Sequence, residues 1–205
     1  NGILPTTTIS DATTVRYNSL TLAAVSGDTD AVSTLDEAGG VMSFTGAGAA
    51  GDGIAIYSAP MRVDRNGTVV MGARFKNSSA TDFRCWVGWQ EDVSAAEPVN
   101  PFTLAGTTLT DNDAGNVFGL YYDSGATTDD FRAAGANNGT IFTASGTLGV
   151  ASGGGVITAD SYIVARVEVD TDGSARAFIG YAGNDPRGAG VNLVDALPAG
   201  NLSVT

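Results

Sequence analysis

The sequence contains no histidine and only one cysteine, Cys85. Without histidine there is no Ser-His-Asp or Cys-His catalysis, no histidine metal site and no acid–base group of the usual neutral-pH type. A single cysteine cannot close an intrachain disulfide, so stability rests on packing or assembly, and the thiol is expected to be buried and inert. Cations are also scarce. Lys76 is the only lysine, and ten lysines and arginines face 22 acids, giving a formal charge of −12. Such a surface does not neutralise phosphates, which argues against a nucleic-acid partner. The acids are spread along the chain, as in a surface built for solubility. No apolar run approaches membrane-spanning length and no signal peptide is visible, so no membrane partner is expected. The chain begins at Asn1 without a methionine, from which processing or trimming at the front is expected.

What is present is β-sequence. A hydrophobic content of 43% over 205 residues can bury a substantial core. We expect residues 1–13 (NGILPTTTISDAT) to be an extended N-terminal arm and residues 14–205 to form one β-sandwich domain. The most informative stretch is Tyr162 to Tyr181, YIVARVEVDTDGSARAFIGY. With Thr171, Asp172 and Gly173 as a three-residue loop, Val169 pairs with Ala175, Val167 with Ala177, Ala165 with Ile179 and Ile163 with Tyr181. Glu168 then pairs with Arg176 on the opposite face. A loop one residue shorter mixes the two faces, so the pattern selects this hairpin. Its apolar face needs a cover, and a second sheet is the expected one.

Elsewhere, Thr14 to Ala24 reads as one strand or two short ones. Asp28 to Ala38 reads as a short helix stopped by Gly39, or as loop. Val41–Thr45, Ile54–Tyr57, Met61–Arg65 and Thr68–Lys76 read as strands, the last two joined at Asn66-Gly67. The glycine-rich stretch Gly46 to Gly53 lacks the Lys-Ser/Thr and the helix of a phosphate loop. Phe83 to Gln90 places Phe83, Cys85, Val87 and Trp89 on one face and Trp86 on the other. Glu91 to Thr110, with Pro98 and Pro101, has no clear period and reads as a long connection. Asn116 to Asp123 is a strand apolar on both sides. Phe131–Ala133, Thr140–Ala144, Thr147–Val150, Val191–Val194 and Leu202–Val204 complete the set. Many short strands with glycine-rich turns give an all-β, two-sheet antiparallel sandwich with little or no helix.

Trp86 has two readings, a side chain lying beneath a loop or an aromatic platform for a sugar or a partner protein. Tyr121 and Tyr122 are further interface or glycan candidates, each also explicable as core.

The segments GARFKNSSATDFRCWVGW (Gly72 to Trp89), NVFGLYYD (Asn116 to Asp123), FRAAGANNG (Phe131 to Gly139) and the hairpin together resemble the concanavalin A-like lectin/glucanase jelly roll. The resemblance is strongest to the versions carried on virion proteins of tailed bacteriophages. It implies a jelly roll serving as a capsid decoration protein that grips the head lattice, with the major capsid protein or other virion proteins as partners and a homo-oligomeric state. The alternative it implies is a carbohydrate-binding module on a tail fibre or spike that recognises host glycan.

Glucanases of that family carry Glu-x-Asp-x-x-Glu along one strand, and glycoside hydrolysis needs two carboxylates across the sugar. Glu168-Val169-Asp170 matches only in part, with no third acid and with Arg176 set to pair with Glu168. The chain is therefore read as non-enzymatic, without catalytic residues or a required cofactor, and a glycoside hydrolase is the least favoured alternative. Asp111 and Asp113, in DNDAGN, are the calcium candidates, and Asp170 with Asp172 a smaller second group. All four are also ordinary turn residues, and neither group has the spacing of a helix-loop-helix site.

Overall fold

The structure is a computed structural model. It describes residues 7–9, 14–17, 20–25, 30–35, 41–45, 53–58, 67–79, 81, 83–91, 100–106, 108–112, 116–125, 131–137, 140–143, 159–171, 175–183 and 194–195. Among these residues every regular element is a β-strand and every strand pairing is antiparallel. The chain divides into two compact units, Asn1–Met61 with Val93–Val99, and Arg62–Asp92 with Asn100–Thr205.

The first unit contains β1 (Thr7–Ile9), β2 (Thr14–Tyr17), β3 (Leu20–Val25), β4 (Asp30–Leu35), β5 (Val41–Thr45) and β6 (Gly53–Ser58). They form two three-stranded sheets, ordered β1-β4-β5 and β2-β3-β6. Thr7–Ile9, within the segment expected to be an arm, pairs with β4. The helix or loop expected over Asp28 to Ala38 is replaced by β4, a central strand paired on both sides. Val32 and Thr34 account for the difference, because β-branched side chains lose rotamer freedom in a helix and fit a pleated surface. Gly39, read as a helix stop, instead falls in sequence between two paired strands.

The second unit contains β7 (Val69–Phe75), β8 (Arg84–Gln90), β9 (Phe102–Ala105), β10 (Thr108–Asp111), β11 (Val117–Asp123), β12 (Arg132–Asn137), β13 (Thr140–Thr143), β14 (Tyr162–Val169), β15 (Ala175–Gly183) and β16 (Val194–Asp195). Two four-stranded sheets, β13-β12-β11-β8 and β16-β15-β14-β7, share one core in a sandwich-like arrangement. One sheet contributes Val87, Phe118, Leu120, Tyr122 and Ala133, and the other Ile163, Ala165, Val167, Val169, Ala177 and Ile179. The β14–β15 register is the one the alternation predicts, from Ile163 opposite Tyr181 to Val169 opposite Ala175. Asp172 and Gly173 of its loop lie outside the described residues, as do Met61–Arg65, Asn66, Thr147–Val150 and Leu202–Val204. Gly67, expected in a turn, has φ of +75°.

Glu91 to Thr110 is not simply a connection. It carries β9 and the start of β10, a hairpin whose register leaves a two-residue loop opening at Gly106 with φ of +63°. Phe102 and Leu104 alternate inward on β9 and cover the outer face of the β13-β12-β11-β8 sheet, against Val117, Tyr121, Ala134, Ala136 and Trp86. This sheet is therefore apolar on both faces, and all of β11 is buried.

Gly88 and Gly119 face each other across β8 and β11. A Cβ on Gly88 would sit 2.4 Å from the Phe118 carbonyl oxygen and 2.7 Å from Trp86 Cζ2. A Cβ on Gly119 would sit 2.4 Å from the Val87 carbonyl oxygen and 3.0 Å from Trp86 Cη2. The indole thus lies over a floor that only two side-chain-free residues provide.

Candidate functional site

The outward face of the β16-β15-β14-β7 sheet concentrates charge. Along β14 the inward positions are Ile163, Ala165, Val167 and Val169, so strand alternation sends Arg166 and Glu168 to the other side. Register places Gly72 beside Arg166, and Val70 and Arg176 on either side of Glu168. The Glu168 carboxylate is held by two guanidinium groups, Arg166 from its own strand and Arg176 at 3.1 Å from β15. Arg176 Nη2 also reaches Asp170 Oδ2 at 2.9 Å, and Thr68 Oγ1 donates to Asp170 Oδ1 at 2.5 Å. The result is a chain of alternating charge, Arg166, Glu168, Arg176 and Asp170, that runs from β14 to β15 and back to the residue after β14. Although Glu168 is buried, both arginines are nearly half exposed, so water screens the pairs and each contributes about 1 kcal/mol or less.

At the other end of the face, Arg74 Cζ lies 4.0 Å and Lys76 Nζ 5.1 Å from the centroid of the Tyr162 ring. Both are within cation–π range, and the ring itself is buried beneath them. Gly72 lies between Arg74 and Val70. A Cβ there would meet only the Ala165 carbonyl oxygen, at 3.9 Å, so the backbone is open above.

The pairing of Glu168 with Arg176 was legible in the sequence, and the structure places both on one exposed face. Arg166 and the Tyr162 group were missed. Arg166 carried a usable signal, since it lies two residues from Glu168 and shares its face.

The aromatic candidates lie elsewhere. Trp86 is half buried and meets the Phe102 ring edge-on at 5.4 Å, under the β9–β10 hairpin. Tyr121 is fully buried, and its hydroxyl donates to Asp123 Oδ2 at 3.1 Å. Arg84 Nε donates to the same oxygen at 2.8 Å, and the Gly125 amide donates to Oδ1 at 2.9 Å. Burial, reinforced by the Asp123 charge, pushes the Tyr121 phenol well above its ordinary 10.0. Tyr122 is fully buried on the opposite face, 4.9 Å from the Phe131 ring. The two tyrosines are consecutive and enter different cores. Cys85, expected to be buried, is half buried against the core, and the loss of hydration there pushes its thiol above its ordinary 9.0.

Of the calcium candidates, Asp111 ends β10, and Asp113 and Asp172 lie outside the described residues. Among the described residues no three His, Cys, Asp or Glu side chains gather as a metal ion requires. Asn112, next to Asp111, donates from Nδ2 to Thr103 Oγ1 at 2.7 Å and to the Asn100 carbonyl at 3.2 Å, bracing the open end of the hairpin.

No protein-family model, curated protein or solved structure matches this chain. The functional reading therefore rests on the residues themselves. Glu168 and Asp170 are already held by arginine on an open sheet face, an arrangement suited to presenting a surface. Proton transfer to a sugar would require one of those carboxylates to be released.

Proposed function

We propose that this chain is a non-enzymatic virion structural protein, a capsid decoration or cement protein that binds the surface of a phage head. In this reading the second unit is a concanavalin A-like jelly roll and the major capsid protein is the partner. The observation that carries the reading is the outward face of β7, β14 and β15. Its acids are engaged by arginine, while Arg74, Arg166, Arg176 and Val70 are exposed. Exposed arginines beside an exposed apolar side chain suit contact with another protein. Trp86, Tyr121 and Tyr122 pack inside, which favours this reading over a glycan-binding one. A protein that binds the assembled lattice better than free subunits stabilises the shell by mass action.

The test is the copy number on purified particles, measured by quantitative mass spectrometry, with heat release of the genome compared before and after the protein is stripped. Hundreds of copies and a shell that opens at lower temperature without it are expected. A handful of copies together with binding on a glycan array would place the protein on the tail and overturn the proposal.

A further inference from the structure

We infer that Arg132 anchors a carboxylate-binding site on the outer side of the β13-β12-β11-β8 sheet, beside the core that Phe102 and Leu104 close. The site is separate from the face of β7, β14 and β15, so it stands whether or not the chain belongs to a virion. Phe131 and Ala133 enter one core while Ala134 and Ala136 enter the other, and the same alternation puts Arg132 on the side of Ala134. Register sets it beside Tyr121, which is fully buried. Arg132 itself is half buried, and its Nε is shut off from solvent with no hydrogen-bond partner.

Such isolation stands out in a chain where 22 acids outnumber ten cations. Arg84, Arg166 and Arg176 each meet a carboxylate, and Arg74 and Lys76 lie on the Tyr162 ring, whereas Arg132 has no such partner among the described residues. Asp123, diagonally across on β11, is already taken by Arg84 Nε, the Tyr121 hydroxyl and the Gly125 amide. A partly buried cation without a counter-charge bears an uncompensated desolvation cost, and an anion brought from outside offsets it. Charge is delocalised over the guanidinium, so an anion on its outer nitrogens compensates the whole group, the covered Nε included. Their planar edge matches the two oxygens of a carboxylate. A carboxylate is favoured over phosphate, because a chain of −12 repels a ligand in proportion to the ligand's own negative charge. Two carriers share this chemistry, a small organic acid and an acidic side chain of another protein.

The test follows the Arg132 Nε–H signal in proton–nitrogen correlation spectra of the full chain at about 25 mM salt, where screening is weak. The signal is assigned by its absence from R132M and R132K. Sodium acetate and an amino-acetylated, carboxy-amidated alanine–glutamate–alanine peptide are the probes. At least one is expected to shift the signal and saturate at a roughly millimolar midpoint, as two charge-assisted hydrogen bonds allow. A peptide midpoint at least about fivefold below that of acetate assigns the acidic side chain as carrier, and any other order assigns the small acid. In the variants the Tyr121 and Ala133 amides report instead. R132M should abolish the response, and R132K, which keeps the charge without the fork, should weaken it roughly fivefold. R74M removes the same charge from the other sheet and should leave the midpoint within about twofold. Without probe, R132M should melt no more than about 3 °C below the parent, since it deletes a cation with no internal partner. A larger loss, no saturation by about 50 mM of either probe, phosphate binding more tightly than both, or equal weakening in R132M and R74M would each overturn the inference.

Discussion

Replacing Gly119 with alanine tests the contact on which the β8–β11 pairing depends. The new methyl carbon would lie 2.4 Å from the Val87 carbonyl oxygen and 2.6 Å from Gly88 Cα, both rigid backbone. Ordinary contact begins at 3.4 Å, so the strands must part by 3.4 − 2.4 = 1.0 Å, or the indole and both strands must shift together. Forcing atoms into a packed interior costs about 1–3 kcal/mol, and strained ladder hydrogen bonds add about 1 kcal/mol. A loss of about 3 kcal/mol lowers the midpoint of thermal unfolding by roughly 6–12 °C in a chain of this size. Gly88→Ala should behave alike, and the double variant should lose less than the sum, because strands already parted accommodate the second methyl. Gly72→Ala is the internal control. Its methyl has open space above and should leave the midpoint unchanged or raise it slightly. Circular dichroism melts of the four variants decide the matter. A Gly119→Ala midpoint within about 1 °C of the parent, or a Gly72→Ala loss as large as that of Gly119→Ala, would refute the close-contact account.

Phe102→Ala should cost about 3–5 kcal/mol and shift Trp86 fluorescence to the red, since it removes the ring that covers the indole; an unshifted spectrum would show that the hairpin is not its cover. Asp123→Ala leaves the buried Tyr121 hydroxyl without its carboxylate and should cost about 1–3 kcal/mol, while Glu168→Ala frees two half-exposed arginines to hydrate and should cost about 1 kcal/mol or less in urea unfolding. Cys85 and Tyr121 are raised in the folded state, so the unfolded chain releases their protons first as pH rises. Their stabilising contribution is complete below the ordinary values of 9.0 and 10.0 and declines above them, by up to about 1.4 kcal/mol per pH unit for each group. Cys85→Ala should flatten the decline between those two values, and an unchanged slope there would count against a poorly hydrated thiol.

The sequence disclosed most where alternation runs long. The Tyr162 to Tyr181 hairpin could be read down to its register because a one-residue slip would have mixed faces over eight positions. Asn116 to Asp123 disclosed its two-sided burial because apolar residues occupy both parities. Short elements hid themselves. Phe102–Ala105 offers two inward residues within four, close behind Pro101, and its clearest mark was a glycine opening a two-residue loop. At Asp28 to Ala38, alanine and leucine with a trailing glycine imitated a helix, and pairing with two neighbours prevailed over local propensity. The cation pair over Tyr162 could not be read in advance. It depends on β7 lying beside β14, an alignment of residues far apart in sequence that no local pattern encodes. The Gly88–Gly119 contact was hidden for the same reason, since each glycine alone looks like any other in a glycine-rich chain.

The β9–β10 hairpin leaves the two large sheets unequally free to change. On the outward side of β11 Val117 and Tyr121 serve a second interior, so neither parity of that strand can be rewritten without disturbing a core. The β14 sheet turns its other side to water at Arg74, Arg166 and Arg176, and there new chemistry could be grafted or lost while the fold persists. Sequence drift that spares the fold is easiest on that side.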